Sequence, residues 1–333
     1  MHVFLHRTHV YQVGTLRGAR LHIKVLLHVM QTHTTIAQGL LFPEGPVAMQ
    51  DGSVIFVEMR TGLIRRVNTQ GELSVVAHCG GGPNGAAVGP DGALYVCNNG
   101  GNTYAPGHFT SSGPALNYEG GCIQRVDLLT GDVTTLYQSC DGHRLSAPND
   151  LVFDKQGGFY FTDFGKKRAR SRDHGGLYYA LTDGSVIREL AYPVQAPNGI
   201  GLSPDGQILY VAETETSRLW AFDVIAPGAI QKLKFPSPNG GRLVCGLSGF
   251  QRFDSLALDA IGNICVATLM TGHISVISPQ GALLRQVKLP DSYVTNICFG
   301  GLGLQTAYIT LSETGQIVSM PWPEAGLALN FNA

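Results

Sequence analysis

Six acidic or amide residues recur along the chain, each close ahead of a short apolar stretch that ends in a tight turn. The clearest copy covers residues 147–158 and reads Ala-Pro-Asn-Asp-Leu-Val-Phe-Asp-Lys-Gln-Gly-Gly. In the first five copies the polar residue stands seven positions ahead of the turn residue. The six residues are Glu44, Asn84, Asn149, Asn198, Asp254 and Asn296. One polar residue at the same register of every repeat predicts a ring of side chains around an axis.

This ring has the composition of a site for a hard cation. Its two carboxylates and four amides offer oxygen ligands, with no His or Cys among them. Crowded around an axis, such groups repel and stay under-satisfied unless a cation lies between them. Oxygen ligands favour Ca²⁺ first, then Mg²⁺ or Mn²⁺, with Zn²⁺ as a further option. The alternative is a channel plugged by these side chains and ordered water.

The apolar stretches that carry the ring predict an all-β fold. In each repeat a first hairpin, such as 84–97 with its Pro-Asp-Gly turn, precedes a second hairpin that starts at a small residue. Two hairpins give four antiparallel strands, and six repeats at spacings of 40 to 65 residues predict a six-bladed β-propeller over residues 32–333 with the metal in its central channel. The stretch from Thr32 to Ala37 should complete the last sheet and close the ring. A pair of β-sandwiches is the alternative, and the six-fold register argues against it.

Propeller geometry also predicts the mouth of the channel. The second strand of each blade runs back toward the ring, so residues just past its end should surround the ring face. They are Glu58, Asn98, Asn99, Asp163, Phe164, Glu213, Glu215, Thr268 and Ser312. Two insertions, 98–120 and 165–175, leave from this face and should cover it. The second insertion carries five Lys or Arg residues, for which a solvated loop is favoured over binding of an anionic substrate.

Residues 1–31 do not follow the repeat and are expected to be a poorly ordered extension. They contain no acidic residue and hold five of the eleven histidines. A secretory signal fits badly, because Lys24 and His28 interrupt the apolar run. An organellar transit peptide is one interpretation, and a true translation start at Met30 is the favoured one.

Composition narrows the classes of partner. The formal net charge is -1 and charged residues make up 14%, which gives no electrostatic case for nucleic acid or an acidic membrane surface. Seven cysteines without a Cys-x-x-Cys motif favour reduced thiols and a cytoplasmic location. A monomer or a small homo-oligomer that binds a small molecule is the expected state.

Several motifs resemble one known family of six-bladed propellers. They are Pro-Glu-Gly-Pro at 43–46, Ala-Pro-Asn-Asp-Leu at 147–151, Pro-Asn-Gly-Ile at 197–200, Phe-Asp-Ser-Leu-Ala-Leu-Asp at 253–259, Val-Lys-Leu-Pro at 287–290 and Cys-Phe-Gly-Gly at 298–301. In order and spacing the chain resembles the senescence marker protein/gluconolactonase/luciferin-regenerating-enzyme family from about residue 40 to 330. The resemblance implies a divalent ion held by Glu44, Asn198 and Asp254, with Asn149 as a further ligand or a substrate contact. Ala147 stands where some animal relatives have arginine, so no particular sugar is implied.

A metal-dependent lactonase that hydrolyses a sugar-type lactone is therefore the expected function. The ion would polarise the lactone carbonyl, and Asp254 is the first choice as the base that activates water. Asp150 and Asp163 are alternative bases, and Asp150 could instead orient Asn149. Contacts with substrate are expected from Asn84, Asn98, Asn149, Asp163 and Asn296.

Three other functions compete with this one. A metal-activated centre in such a channel could instead hydrolyse an organophosphate or another ester. A propeller could also serve as a binding module without catalysis, although such a module would not need Glu and Asp together in its channel. A strictosidine-synthase-like condensing enzyme is disfavoured, because no Glu stands late enough in the ring to be its catalytic acid.

Overall fold

Residues 33–332, the part of the chain that this computed structural model describes, form six antiparallel sheets arranged as the blades of a β-propeller. The first strands of neighbouring blades contact one another in a closed circle, so these strands surround the axis. The predicted all-β, six-bladed architecture is confirmed. The predictions made for residues 1–31 lie outside the described residues.

The strands of each blade run from the channel outward in sequence order. Blade 1 consists of Pro43–Ala48, Val54–Glu58, Leu63–Val67 and Leu73–His78. Blade 2 consists of Pro83–Val88, Leu94–Asn98, Cys122–Val126 and Val133–Tyr137. Blade 3 consists of Pro148–Phe153, Gly158–Asp163, Gly175–Leu181 and Ile187–Val194. Blade 4 consists of Pro197–Leu202, Ile208–Glu213 and Arg218–Ala226, and both Ala229–Gln231 and Arg242–Gly246 pair with the outer edge of Arg218–Ala226. Blade 5 consists of Arg252–Leu258, Ile264–Leu269, His273–Ile277 and Leu283–Lys288. Blade 6 consists of Val294–Gly300, Thr306–Leu311 and Gln316–Pro321.

The outer strand of blade 6 comes from the other end of the described chain. Thr34–Gln38 pairs antiparallel with Gln316–Pro321, with Thr34 opposite Ser319. The predicted closing strand is therefore confirmed, shifted toward the C-terminus by one or two residues. Backbone hydrogen bonds between the two ends of the chain close the ring.

The hydrophobic core lies between adjacent blades. Second strands such as Leu94–Asn98 and Gly158–Asp163 are buried along their whole length, because a neighbouring blade covers each face. Between blades 2 and 3, the rings of Tyr95 and Phe153 meet edge to face with centroids 5.2 Å apart. Burial of one such side chain stabilises the fold by roughly 1.5–3 kcal/mol.

Three short elements complete the described part of the chain. A ribbon of Asn102–Tyr104 and Ser111–Pro114 lies in the insertion of blade 2, and Ser139–Cys140 pairs with His143–Arg144. A 3-10 turn covers Leu302–Leu304. Among residues 33–332, no helix is long and apolar enough to cross a membrane.

The C-terminal segment covers the end of the channel opposite the ring. The side-chain amide of Asn330 donates to the Phe153 carbonyl over 3.0 Å, and that of Asn332 donates to the Ala48 carbonyl over 3.1 Å. Leu327 and Leu329 line a small cavity of about 100 Å³ beneath the ring. The other mouth is therefore the route to the ring residues.

Glycines beside the ring allow the inner strands to approach closely. A Cβ added at Gly45 would lie 2.3 Å from the Asn84 carbonyl oxygen, and one added at Gly199 would lie 2.5 Å from the Leu256 amide nitrogen. Both neighbouring atoms belong to backbone, which cannot move aside as a flexible side chain can. The glycines that follow the ring residues Glu44 and Asn198 thus help to set the width of the channel.

Gly199→Ala is expected to lower the free energy of unfolding by roughly 1–3 kcal/mol, because the new methyl group forces blades 4 and 5 apart. Urea unfolding followed by circular dichroism measures the change. Gly246→Ala is the matched control, since a Cβ there meets its nearest atom at 3.5 Å. Equal stabilities of the two variants would contradict this account of the channel.

Candidate active site at the channel mouth

A break in strand pairing positions every ring residue. The pairing of first and second strands shifts register between Glu44 and Val47 in blade 1, and the shift spans the ring residue in blades 2 to 5. In blade 6 the shift comes earlier, between Val294 and Asn296. Such bulges bend a strand locally and re-aim its side chains. The ring side chains turn inward and are buried, with exposures of 2–7%.

Five of the six ring residues face one cavity at the mouth. The cavity has a volume of about 600 Å³, and its polar floor consists of Glu44, Asn84, Asn149, Asn198 and Asp254. Asn296 lines the small cavity on the other side of the ring instead. It still belongs to the ring, since its side-chain amide donates to Glu44 Oε2 over 3.1 Å.

The insertion of blade 2 roofs this cavity. Tyr104, Thr110 and Ser111 of the insertion line its wall. The ring of Phe109 meets that of Tyr293, which leads into blade 6, edge to face at a centroid distance of 4.6 Å. The insertion therefore crosses the mouth, as its position in the sequence predicts.

Hydrogen bonds link the two carboxylates of the floor to neighbouring amides. The Asn198 side chain donates to Asp254 Oδ1 and, over 3.1 Å, to Thr214 Oγ1. The backbone amide of Gly45 donates to Glu44 Oε2 over 3.1 Å. Rotation of the Asn198 amide by half a turn would exchange its nitrogen and oxygen, so the residue can present an oxygen beside Asp254.

The donor set fits a hard divalent cation. Asn149 Oδ1 is buried and has no hydrogen-bond partner among the described residues. An unpaired buried oxygen costs about 1–3 kcal/mol, which a bound cation would offset. No group of three or more His, Cys, Asp or Glu side chains within 33–332 has the geometry of a metal site. An ion on this floor would therefore depend on amide oxygens together with Glu44 and Asp254.

Burial and mutual repulsion make the carboxyl groups at the axis weak acids. Burial raises the pKa of Glu44 to about 7 and outweighs the hydrogen bonds from Asn296 and Gly45. Burial, aided by the charge of Glu44, raises the pKa of Asp150 to about 8 and that of Asp254 well above its usual range. Without a cation, these groups would therefore take up protons at a higher pH than ordinary carboxyl groups do.

Protein freed of divalent ions is therefore expected to lose stability as pH rises. The pKa of Glu44 is about 7 in the folded protein and 4.5 in the unfolded chain. Between pH 4.5 and about pH 7, the folded protein therefore binds a proton that the unfolded chain has released. This group should lower the free energy of unfolding by roughly 3 kcal/mol between about pH 4 and about pH 8. Urea unfolding in chelator at both pH values measures the loss. Glu44→Gln should show a smaller loss, and an equal loss in the two proteins would contradict the assignment.

Asn98 and Asp163, both expected to contact substrate, lie outside the lining of the cavity. Asn98 Oδ1 accepts the backbone amides of Gly82 and Gly100 over 2.9 and 3.0 Å. Asp163 accepts the amides of Ser146 and Ala147 over 2.6 and 2.7 Å. Each side chain thus fixes the chain that enters the inner strand of its own blade.

The same arrangement recurs in blade 4. Glu213 ends its second strand, and its Oε1 accepts the backbone amide of Gln195 over 3.1 Å. Polar residues at the end of the second strand therefore brace the ring from behind. Their place in the sequence predicts that they lie at the mouth but not that they brace the ring, because position along a strand does not reveal which backbone group a side chain meets.

Lys166 is a residue that sequence reasoning missed. The interpretation of its loop as solvated is wrong for this residue, which is 3% exposed. Its Nζ donates to the carbonyls of Asn99 and Gly101 over 2.8 and 2.7 Å and lies 4.7 Å from the centroid of the Tyr118 ring. Lys166 joins the two insertions that cover the mouth. Burial lowers its pKa to about 7.

Fold and site together define the class of protein: a six-bladed β-propeller with a roofed cavity of carboxylates and amides at one mouth of its channel. The chain belongs to the family described as the SMP-30/Gluconolactonase/LRE-like region, whose sequence profile matches residues 42–313. This match confirms the resemblance found from the motifs.

Similar proteins include enzymes and solved propellers. The gluconolactonase of Zymomonas mobilis is 25% identical over 316 residues, or 87% of this chain and 82% of the relative. Lactonase drp35 of Staphylococcus saprophyticus is 30% identical over 256 residues, or 76% of this chain and 71% of the relative. The crystal structure of regucalcin from Agrobacterium tumefaciens, described as a calcium-binding protein, superposes with a TM-score of 0.72 at 15% identity and covers 91% of this chain and 98% of that one. At this identity, the structural likeness concerns the fold alone.

Proposed function

We propose that this protein is a metal-dependent lactonase that hydrolyses a sugar-type lactone to its hydroxy acid. The observation that carries the proposal is the floor of the mouth cavity, where two buried carboxylates and the unpaired Asn149 oxygen converge. The names of the relatives, gluconolactonase and lactonase, support the reaction. The cavity of about 600 Å³ has room for a sugar lactone.

The proposed ligands of the ion are Glu44, Asn149, Asn198 and Asp254. Their oxygens favour Ca²⁺ ahead of Mg²⁺, Mn²⁺ or Zn²⁺. When bound, such an ion would act as a Lewis acid on the lactone carbonyl and stabilise the negative charge that develops on its oxygen. The four residues come from blades 1, 3, 4 and 5, so the propeller itself fixes their relative positions.

Asp254 is the proposed general base. Its carboxylate lies on the floor, and Asn198 orients it through a hydrogen bond to Oδ1. Asp254 would take a proton from the attacking water as the water oxygen bonds to the lactone carbonyl carbon. The ring C–O bond would then break, and the leaving alkoxide would receive that proton to give the hydroxy acid. Asp150 lines the cavity beneath the ring, away from the substrate side.

Substrate contacts are best assigned to polar groups that face the mouth cavity. Asn84 and Asn149 line the floor, and Thr214 lines the wall beside them. Asn98, Asp163 and Asn296 support these groups from behind through hydrogen bonds to the backbone or to Glu44. The roof formed by the insertion of blade 2 would exclude bulk water from the reacting ester. A small-molecule substrate, a cytoplasmic location and a monomeric or small homo-oligomeric state remain predictions.

A panel of esters tests the proposed function. The purified protein is expected to hydrolyse gluconolactone or another aldonolactone, to lose this activity in chelator and to regain it with added calcium. A phosphotriester assayed under the same conditions should react at least about tenfold more slowly, because the amide groups of the floor can hydrogen-bond the hydroxyl groups of a sugar. Faster turnover of the phosphotriester would assign the site to the rival ester class. Absence of turnover with the phosphotriester and with every aldonolactone, neutral or acidic, would contradict the proposed hydrolysis.

A further inference from the structure

One wall of the mouth cavity is cationic, in contrast to its floor. Five Lys or Arg residues line this wall, four from the insertion that follows the second strand of blade 3 and one from blade 5; they are Lys166, Lys167, Arg168, Arg172 and Arg252. Lys166 already donates hydrogen bonds to backbone carbonyls in the insertion of blade 2. The remaining four side chains line the cavity and contribute positive charge to the field inside it.

Two of these arginines are held in place at the rim. Arg172 and Arg252 converge on Glu215, with nitrogen–oxygen distances of 2.7 and 3.2 Å to its two carboxylate oxygens. The Arg172 guanidinium also lies 4.5 Å from the centroid of the Phe164 ring. Their side chains are 24% and 34% exposed, so both are partly shielded from solvent. Guanidinium groups fixed in this way need little reordering to bind an anion.

The ion pairs on this wall leave an excess of positive charge. Glu215 is one carboxylate shared by two guanidiniums, and Arg168 pairs with Asp173 at 2.7 Å. Lys167 is exposed and has no carboxylate within ion-pair distance among the described residues. An anion that enters the cavity would be attracted to this wall.

We infer that the substrate carries an anionic group, a carboxylate or a phosphate, at the end remote from the ester, and that Arg172 and Arg252 bind it. The inference rests on the proposed lactonase function and narrows the substrate to acidic sugar lactones. It also orients the substrate: the ester faces Glu44 and Asp254, and the anion faces the rim. Phosphate and carboxylate both match the planar fork of an arginine.

Matched pairs of lactones test this inference. Phosphogluconolactone is compared with gluconolactone, and galactarolactone with galactonolactone, so that each pair differs by the terminal anion. The expected kcat/KM of at least one anionic member is about tenfold or more above that of its neutral partner, since charge-assisted hydrogen bonds are strong. The pair with the larger ratio identifies the anion.

Variants separate recognition of the anion from a structural role of the arginine. Arg172→Gln should lower the ratio of anionic to neutral kcat/KM by about tenfold. Arg170→Gln is the control, because Arg170 is exposed in the same insertion and does not line the cavity. A merely structural Arg172 would lower turnover of both lactones together and leave their ratio unchanged, and that result would overturn the inference.

Measuring how tightly the hydroxy-acid products bind tests the anion site independently of the proposed function. Calorimetry should show that phosphogluconate or galactarate binds more tightly than gluconate or galactonate, and that Arg172→Gln abolishes the difference. If no lactone is hydrolysed but this difference is present, the lactonase proposal falls and the anion site stands. If neutral lactones are hydrolysed as fast as anionic ones, the lactonase stands and the anion site falls.

Discussion

Asp254→Asn is expected to lower kcat for lactone hydrolysis by about a thousandfold, because the variant loses the group that accepts a proton from water. Asparagine keeps the size of the side chain and an oxygen that can accept the hydrogen bond from Asn198, so the propeller should stay folded. Turnover is measured at saturating calcium, so that weaker metal binding cannot imitate loss of the base. Circular dichroism and the thermal midpoint report the fold.

Asp205→Asn is the matched control for this prediction. Asp205 lies in the exposed turn of the inner hairpin of blade 4, next to the blade that carries Asp254, and its Oδ1 accepts the amide of Gln207 over 3.0 Å. Asparagine can make the same contact, so kcat should not change. If Asp254→Asn retained more than a tenth of wild-type turnover, Asp254 would be removed from the mechanism as the base.

Glu44→Gln is expected to weaken calcium binding by at least about a hundredfold, because it removes a full negative charge from the ligand set. Glutamine keeps the length of the side chain and can still accept the amide of Gly45. Calorimetric titration of chelator-treated protein measures the affinity. Activity should return at high calcium concentration, which distinguishes a lost ligand from a lost catalytic group.

Glu72→Gln provides the comparison for this second variant. Glu72 is an exposed residue of the same blade, and its carboxylate accepts the Asn68 side chain over 2.8 Å, a contact that glutamine can keep. Its calcium affinity should equal that of the wild type. Undiminished binding by Glu44→Gln would show that any calcium site lies elsewhere than the ring.

The fold could be predicted from the sequence because one turn register recurs. Each turn marks the end of an inner strand, and in five copies it stands seven residues after a ring residue. Counting these copies predicts the number of blades, and the stretch that begins at Thr32 predicts how the ring closes. The number of blades and the closure of the ring both follow from local sequence patterns, which can be recognised in a single sequence.

The site was predictable only in outline. Spacing puts all six polar residues on one ring, but bulges decide which side of the ring each side chain faces, and bulges leave no clear mark in the sequence. Asn296 therefore faces the small cavity beneath the ring, while the other five ring residues face the mouth cavity. The bracing by Asn98 and Asp163 and the burial of Lys166 depend on contacts between distant loops, which residue type does not reveal.

Anomalous diffraction from crystals grown with calcium or manganese tests the central claim most directly. One strong peak is expected on the channel axis, with oxygens of Glu44, Asn149, Asn198 and Asp254 at about 2.1–2.6 Å. A peak elsewhere, or an axis without a peak in the presence of millimolar ion, would contradict it.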